Sequence, residues 1–234
     1  MSGPPGSSFM GTLRRRLRSL RQPRHLSAPF LPRLRQEAHG LIWFASQLVR
    51  SPREVGAICP SGQSLARGMA ALIPETPGLV VEFGAGTGVV TQAILDRGVA
   101  RDRLLVIEYS PRFCAILRRK FPDLTIIQGD AAKLSSYLPP DARIAAIVSS
   151  LPLMSLPKQT RASIIAQVRS VMRQEGCIIQ FTYALWAASP FRRAGYQPDS
   201  RKIILLNLPP ARLERFRIAG QNPAASTLRD CAIR

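Results

Sequence analysis

A glycine-rich segment near the first third of the chain constrains its fold more than any other feature. The stretch Val80-Val-Glu-Phe-Gly-Ala-Gly-Thr-Gly88 begins with apolar residues typical of a buried strand and leads into the apolar periodicity of a helix. Glycines at three alternate positions let the backbone turn tightly and let a ligand lie directly against the peptide. The segment therefore predicts the first strand–loop–helix unit of a Rossmann-like α/β fold, with a ligand site at the loop.

Apolar strands and helices alternate along the rest of the chain. Predicted strands cover 79–83, 104–108, 124–128, 144–149 and 177–183, and predicted helices cover 62–71, 89–97, 112–121 and 158–173. Two further strands, 203–208 and 213–218, are predicted to pair across Pro209-Pro210. Such alternation is typical of parallel crossover units. We expect a mostly parallel seven-stranded sheet with helices on both faces and a C-terminal antiparallel hairpin.

The ends of the chain differ from this central domain, which we place at 51–218. Residues 1–36 carry eight Arg and no acidic residue, and 1–32 are predicted to be a disordered basic extension. Residues 33–50 have apolar positions at helical spacing, with Trp43 and Phe44 in the middle. They predict an amphipathic helix that lies on a membrane surface or, alternatively, packs on the domain. The tail 219–234 is also predicted to be disordered.

Charge is the exceptional feature of the composition, with 33 Lys and Arg against 14 Asp and Glu and a formal net charge of +19. A charge of this size indicates an anionic partner, either nucleic acid or an anionic membrane surface. Two His and four scattered Cys without a CxxC pair argue against a zinc site, and no metal is expected. We expect no secretory signal, although the Arg-rich start also suits an organelle transit peptide. The apolar run 41–49 is too short to span a bilayer, which takes about 20 residues.

Acidic residues end three successive predicted strands: Glu82, Glu108 and Asp130. The glycine spacing is G-x-G-x-G rather than the G-x-G-x-x-G of dinucleotide sites. Together these features resemble class I S-adenosylmethionine-dependent methyltransferases over roughly residues 50–218. An acid at Glu82 suits the cationic amino-acid end of that cofactor, one at Glu108 suits its ribose hydroxyls, and Asp130 suits the adenine amino group. The expected cofactor-binding residues are Glu82, Gly84, Ala85, Gly86, Gly88, Glu108, Tyr109, Asp130, Ala131 and Ser149.

The acceptor position of the fold follows the fourth strand and reads Ser149-Ser-Leu-Pro-Leu-Met-Ser-Leu-Pro157. Methyltransferases of base amines carry an amide or acid and a stacking aromatic ring there. The apolar residues in this chain favour an aliphatic substrate, or else they only pack the loop. The predicted substrate-binding residues are Leu151, Pro152, Leu153, Met154 and Trp186, and the predicted catalytic residues are Tyr183 and Ser150.

A closer resemblance is to bacterial phospholipid N-methyltransferases of the PmtA type. The stretches 51–61, 82–88, 150–157 with 180–183, and 206–212 carry it. The resemblance implies methylation of phosphatidylethanolamine, through its mono- and dimethyl forms, towards phosphatidylcholine. It also implies a peripheral location on the inner face of the cell membrane and binding through the N-terminal helix. The membrane-binding residues would be Arg33, Arg35, Leu41, Ile42, Trp43, Phe44 and Leu48.

Two other functions stay open at this point. An rRNA adenine N-methyltransferase would share the fold and would use the basic surface to bind nucleic acid. A catalytically silent cofactor-binding or membrane-interaction protein would share the fold as well, although it has no chemical need for the complete set of glycines and acids.

Overall fold

A computed structural model describes residues 60–172, 175–205 and 209–217. The predictions for 1–59 and 218–234, including the membrane-surface helix, lie outside the described residues. The strands are β1 Leu79–Phe83, β2 Leu104–Glu108, β3 Thr125–Gln128, β4 Ile144–Ser149, β5 Cys177–Thr182, β6 Gln197–Ile204 and β7 Ala211–Arg217. The helices are α1 Pro60–Ala71, α2 Val89–Asp96, α3 Pro111–Lys120, α4 Lys158–Val171 and α5 Pro190–Arg193, with 3₁₀ helices at Arg101–Arg103 and Ala131–Tyr137.

The seven strands form one sheet in the order β3-β2-β1-β4-β5-β7-β6. β1 to β5 are parallel, and β7 pairs antiparallel with both β5 and β6. This confirms the predicted Rossmann-like sheet and its C-terminal hairpin. Successive strands are added on one side of β1 as far as β3, and on its other side from β4 onwards. Open α/β sheets form their ligand crevices at such a switch point, here between β1 and β4.

Helices cover both faces of the sheet. As a result, every residue of β1, β2 and β4 is buried. One apolar core contains Val80 of β1 and packs α1, α2 and α3 on one face. A second core contains Val81, Phe83 and Ile147, and it packs α4 and the 3₁₀ helix Ala131–Tyr137 on the other face. Alternate strand residues thus face opposite cores, as the two-residue repeat of a strand requires.

The structure differs from the prediction mainly at the edge of the sheet. The strand predicted at 203–208 begins at Gln197 and ends at Ile204. The predicted bounds are wrong because an edge strand with one partner and mostly exposed residues carries no apolar alternation. The short α5 and both 3₁₀ helices were not predicted, since segments of one or two turns have little periodicity.

Within the described part of the chain, no helix is both long and apolar enough to cross a membrane. Cys114 and Cys177 are buried free thiols. Burial raises their pKa values to about 11 and about 12, which keeps both thiols protonated and unreactive at neutral pH.

Candidate active site

A cavity of about 220 Å³ opens at the carboxyl edge of the parallel strands. The glycine loop, the ends of β2 and β3 and the segment after β4 meet there because parallel strands end at the same edge of a sheet. Its walls are formed by Gly84, Gly86, Ile107, Glu108, Tyr109, Phe113, Gly129, Asp130, Ala131, Ser150, Leu151, Pro152, Leu156, Pro157, Thr160 and Ile164. Nine of these were predicted site residues, and they come from four separate segments of the chain.

The glycine loop has the left-handed backbone that only glycine adopts without strain. Gly84, Gly86 and Gly88 have φ values of +69°, +56° and +82°. A Cβ atom on Gly88 would lie 2.6 Å from the Phe121 ring, so this glycine lets the helix that follows pack on the core. A Cβ atom on Gly86 would meet no protein atom within 4 Å, because it would stand in open space. Gly86 therefore keeps the cavity wall free for a ligand.

Glu82 is fully buried on β1, just before the loop. The Thr91 hydroxyl, in the first turn of α2, donates a hydrogen bond of 2.8 Å to its Oε2 atom. Its Oε1 atom is buried without a partner. Burial raises the pKa of Glu82 to about 8, and the nearby Glu108 carboxylate adds to the rise, while the Thr91 bond opposes it. A buried carboxyl with one unpaired oxygen is poised to meet a cationic group.

Glu108 ends β2 on the cavity wall. Its Oε2 atom accepts a hydrogen bond of 3.0 Å from the Gly86 N–H, and its Oε1 atom accepts one of 2.8 Å from the Ser110 N–H. The carboxylate thus links the glycine loop to the start of α3. Each of its oxygens has a second lone pair, so the group can still accept from ligand hydroxyls.

Asp130 follows β3 and caps the 3₁₀ helix Ala131–Tyr137 by accepting a hydrogen bond of 2.9 Å from the Ala132 N–H. Its own N–H donates to the Tyr137 hydroxyl at 3.1 Å. A Cβ atom on Gly129 would lie 2.6 Å from that hydroxyl, so glycine is needed for the approach. Tyr137 supports this wall of the cavity, and sequence reasoning missed it because its role depends on a turn of 3₁₀ helix.

The segment after β4 forms the opposite wall, and the Ser150 N–H donates a hydrogen bond of 2.9 Å to the Phe83 carbonyl oxygen. The Ser150 hydroxyl is buried without a hydrogen-bond partner. Apolar side chains from the segment and from α4 line the rest of this wall: Leu151, Pro152, Leu156, Pro157 and Ile164. Leu153 is buried in the core instead, and Met154 does not line the cavity.

Several predicted site residues do not line the cavity. Four of them belong to β1, the glycine loop or β4: Glu82, Ala85, Gly88 and Ser149. The side chains of Ala85 and Ser149 are buried. Tyr183 is 36% exposed and packs edge-on against the Phe181 ring, with 5.4 Å between the ring centroids. Trp186 is 87% exposed. Residues lining the cavity that sequence reasoning missed include Phe113, Thr160 and Ile164, which lie on helix faces with no distinguishing motif.

A buried ion pair supports the loop that carries Tyr183 and Trp186. Arg212 and Glu214 of β7 are each 3% exposed, with 3.3 Å between the Arg212 Nη2 and Glu214 Oε2 atoms. The Arg212 guanidinium also donates to the Leu185 and Ala187 carbonyl oxygens at 2.5 and 2.6 Å. It therefore ties the loop after β5 to the hairpin.

These features fit S-adenosylmethionine. The unpaired Glu82 oxygen suits its ammonium, the open space over Gly86 suits a ligand lying on the loop, and Glu108 suits vicinal hydroxyls. Among the described residues, no group of three or more His, Cys, Asp or Glu side chains is arranged to hold a metal ion.

Comparison with known proteins agrees with this geometry. A methyltransferase domain family model matches residues 80–176. An ornithine lipid N-methyltransferase from Singulisphaera acidiphila is 30% identical over 174 residues, which cover 72% of this chain and 91% of the relative.

Two solved structures share the fold. The 1,6-didemethyltoxoflavin-N1-methyltransferase of Burkholderia thailandensis superposes with a TM-score of 0.58 at 14% identity, covering 84% of this chain and 93% of that one. The N-methyltransferase NodS of Bradyrhizobium japonicum gives a TM-score of 0.60 at 13% identity, covering 77% and 99%. Taken with the cavity and its acids, the lipid-methylating relative leads to one conclusion: the chain belongs to the class I S-adenosylmethionine-dependent methyltransferases, in a group related to lipid N-methyltransferases.

Proposed function

We propose that this enzyme N-methylates phosphatidylethanolamine, and then its mono- and dimethyl forms, towards phosphatidylcholine at the inner face of the cell membrane. The relative named for methylating ornithine lipid supports an amine-bearing lipid as the acceptor class. The strongly positive chain suits work at an anionic surface. The predicted helix 33–50 would add to membrane attachment.

The observation that carries the proposal is the composition of the acceptor wall. Between Ser150 and Pro157 this wall offers Leu, Pro and Ser side chains but no aromatic ring and no amide. A flipped base needs a ring to stack on and a hydrogen-bonding group for its exocyclic amine. An amine at the end of a lipid headgroup needs neither a stacking ring nor an amide, because it belongs to no flat base. It can reach the cavity along an apolar wall.

S-adenosylmethionine, when bound, supplies a methyl group already activated by its sulfonium. The chain has to position the two reactants and exclude water. Glu82 would hold the cationic amino-acid end of the cofactor, and Glu108 would hold its ribose. The Ser150 hydroxyl would accept an N–H hydrogen bond from the acceptor amine and so aim the nitrogen lone pair at the methyl group. The proton that the amine must lose would pass to water, and the Tyr183 hydroxyl would hold that water by a hydrogen bond.

Ornithine lipid is a second candidate acceptor, favoured by the name of the 30% identical relative. It belongs to the same class, an amine-bearing membrane lipid, and the geometry of the acceptor wall suits it equally.

The test is methyl transfer from labelled S-adenosylmethionine to three acceptors assayed separately: vesicles with phosphatidylethanolamine, vesicles with ornithine lipid, and total RNA. The Glu108→Ala variant, which we expect to lose cofactor binding, is the control. Label in the methylated forms of phosphatidylethanolamine supports the proposal. Label only in ornithine lipid would make that lipid the acceptor in place of phosphatidylethanolamine. Label only in RNA would overturn the assignment of a lipid acceptor.

A further inference from the structure

Exposed apolar side chains concentrate in one short part of the chain. The described residues expose five large hydrophobic side chains, and all but Tyr109 lie between Tyr183 and Leu205. Trp186 is 87% exposed, Leu205 75% and Ile203 44%. Single exposed apolar residues are ordinary, but a cluster marks an interaction surface.

Contacts of the hairpin bring together the segments that carry these side chains. Arg201 of β6 and Arg212 of β7 both donate hydrogen bonds to the carbonyl oxygen of Leu185, the neighbour of Trp186. Ile203 lies opposite Arg212 in the strand register, and it shares a strand face with Arg201, two residues earlier. The loop after β5 therefore lies against the end of β6, and Trp186, Ile203 and Leu205 form one patch, here called the apolar edge patch.

The apolar edge patch lies on the same edge of the sheet as the cavity. β6 is antiparallel to β7, and β7 is antiparallel to β5, so β6 runs in the direction of the parallel strands. Its last residue, Ile204, thus ends at the carboxyl edge, where Ser150 and Leu151 line the cavity. A surface that met the patch would also face the mouth of the cavity.

Positive charge accompanies the patch. Arg201 is exposed on the same face of β6 as Ile203, Lys202 is exposed on the other face of the same end of the strand, and Lys158 is exposed where α4 begins next to the cavity residue Pro157. The single acidic residue between 183 and 205, Asp199, is already paired with Arg215 and Arg217 on β7. Exposed Trp and aliphatic side chains flanked by Lys and Arg are the composition of a surface that enters an anionic lipid interface.

We propose that the apolar edge patch docks into an anionic lipid leaflet and points the cavity mouth at the headgroups. This inference rests on the proposed lipid acceptor, and it adds a membrane-binding site distinct from the predicted helix 33–50. Trp186 and Leu205 would enter the interface, and Lys158, Arg201 and Lys202 would meet anionic headgroups. An acceptor lipid would then reach the cavity without leaving the leaflet.

The test measures vesicle binding by the full-length chain with no methyl donor present. Vesicles of phosphatidylethanolamine with phosphatidylglycerol are compared with phosphatidylcholine vesicles, using sedimentation and the emission of Trp186 in a Trp43→Phe background. We expect the emission of Trp186 to shift to the blue on anionic vesicles and to be quenched by bromine-labelled acyl chains. An unshifted and unquenched emission with bound vesicles overturns the inference.

Matched variants separate the patch from general charge. The Lys158→Gln/Lys202→Gln variant should weaken partitioning by about 30-fold, at roughly fivefold for each charge. The Arg101→Gln/Arg119→Gln variant removes equal charge from the opposite edge and should bind like the parent chain. The Trp186→Gln/Ile203→Gln/Leu205→Gln variant should bind vesicles more weakly than the parent chain and keep its affinity for S-adenosylmethionine, which shows that it folds. Equal losses in both charge variants contradict the inference.

Other occupants of the patch give different results. If the patch variants lose RNA binding or self-association while vesicle binding persists, the membrane assignment is overturned. Failure of the function and failure of the inference are distinguishable, because docking is measured without turnover. Docking without lipid methylation rejects the proposed acceptor alone, whereas methylation with vesicle binding unaffected by the patch variants rejects the inference alone.

Discussion

The Thr91 hydroxyl donates a hydrogen bond of 2.8 Å to one carboxylate oxygen of Glu82, while the other oxygen of Glu82 is buried without a partner. One donor is too few for an ionised carboxylate in a dry site, and burial raises the pKa of Glu82 to about 8. The free enzyme therefore carries Glu82 mainly protonated at neutral pH. Glu82 must therefore lose its proton when it binds the cationic end of the cofactor.

We expect the affinity for S-adenosylmethionine to rise with pH between 6 and 7.5, because a cationic ligand needs the ionised form of Glu82. The rise is at most about tenfold per pH unit. Calorimetry in buffers with different ionisation enthalpies should show proton release on binding at pH 7. The Glu82→Gln variant should bind weakly, with a flat pH profile and no proton release. Binding to the parent chain without proton release would contradict the prediction.

The same group should make the stability of the free enzyme depend on pH with the opposite sign. The unfolded chain ionises Glu82 above its ordinary pKa of 4.5, whereas the folded chain retains the proton up to about pH 8. The free energy of unfolding should thus fall as pH rises through this window, by up to about 1.4 kcal/mol per unit. Urea denaturation of the parent chain and of Glu82→Gln would measure it. Parallel pH profiles would show that Glu82 is not responsible.

Two loop glycines should respond differently to alanine. Gly88→Ala brings a Cβ atom to 2.6 Å from the Phe121 ring at a positive φ, so it should lower stability by more than about 1 kcal/mol. Gly86→Ala meets no protein atom within 4 Å and should cost less stability. Its methyl group would occupy the open space over the loop and weaken cofactor binding about tenfold or more. Thermal unfolding and cofactor titration of both variants would decide; equal cofactor affinity in Gly86→Ala and the parent chain would place the ligand elsewhere.

Ser150 should affect methyl transfer more than cofactor binding. Its hydroxyl is buried on the cavity wall without a partner, so it is available to an acceptor amine. Ser150→Ala should lower kcat about tenfold by the loss of one hydrogen bond, with unchanged cofactor affinity. Ser155→Ala, an exposed position in the same segment, is the control and should match the parent chain. A full rate in Ser150→Ala would remove the hydroxyl from the mechanism.

Breaking the buried pair of Arg212 and Glu214 should destabilise the fold and release the loop after β5. Arg212→Met leaves the Glu214 carboxylate buried without its partner, which costs about 3–5 kcal/mol. The double variant Arg212→Met/Glu214→Leu should recover most of this stability. It should still be cleaved faster in limited proteolysis between 183 and 189, because the Ala187 carbonyl oxygen loses its donor and the Leu185 oxygen keeps only the bond from Arg201. Slow cleavage in the stable double variant would show that the guanidinium does not hold the loop.

The central sheet was predictable because its strands are buried on both faces. Ile144–Ser149 and Leu104–Glu108 are continuous apolar runs bounded by polar residues, so their limits are visible in the sequence. The edge strand Gln197–Ile204 has one partner and a mixed surface, and pairing rather than side-chain pattern sets its start.

The sequence by itself determined the fold class, the glycine loop and the order of the acids at the strand ends. These depend on local properties: burial of apolar runs, freedom at positive φ, and the spacing of strands and helices. Only the tertiary structure decided that Thr91 pairs with Glu82 and leaves one oxygen unpaired, that Glu108 joins the Gly86 and Ser110 backbones, and that Leu153 enters the core. The apolar edge patch likewise exists only once β6 and the loop after β5 meet. Such relationships join residues distant in the chain, and packing and hydrogen bonding across the sheet edge bring them together.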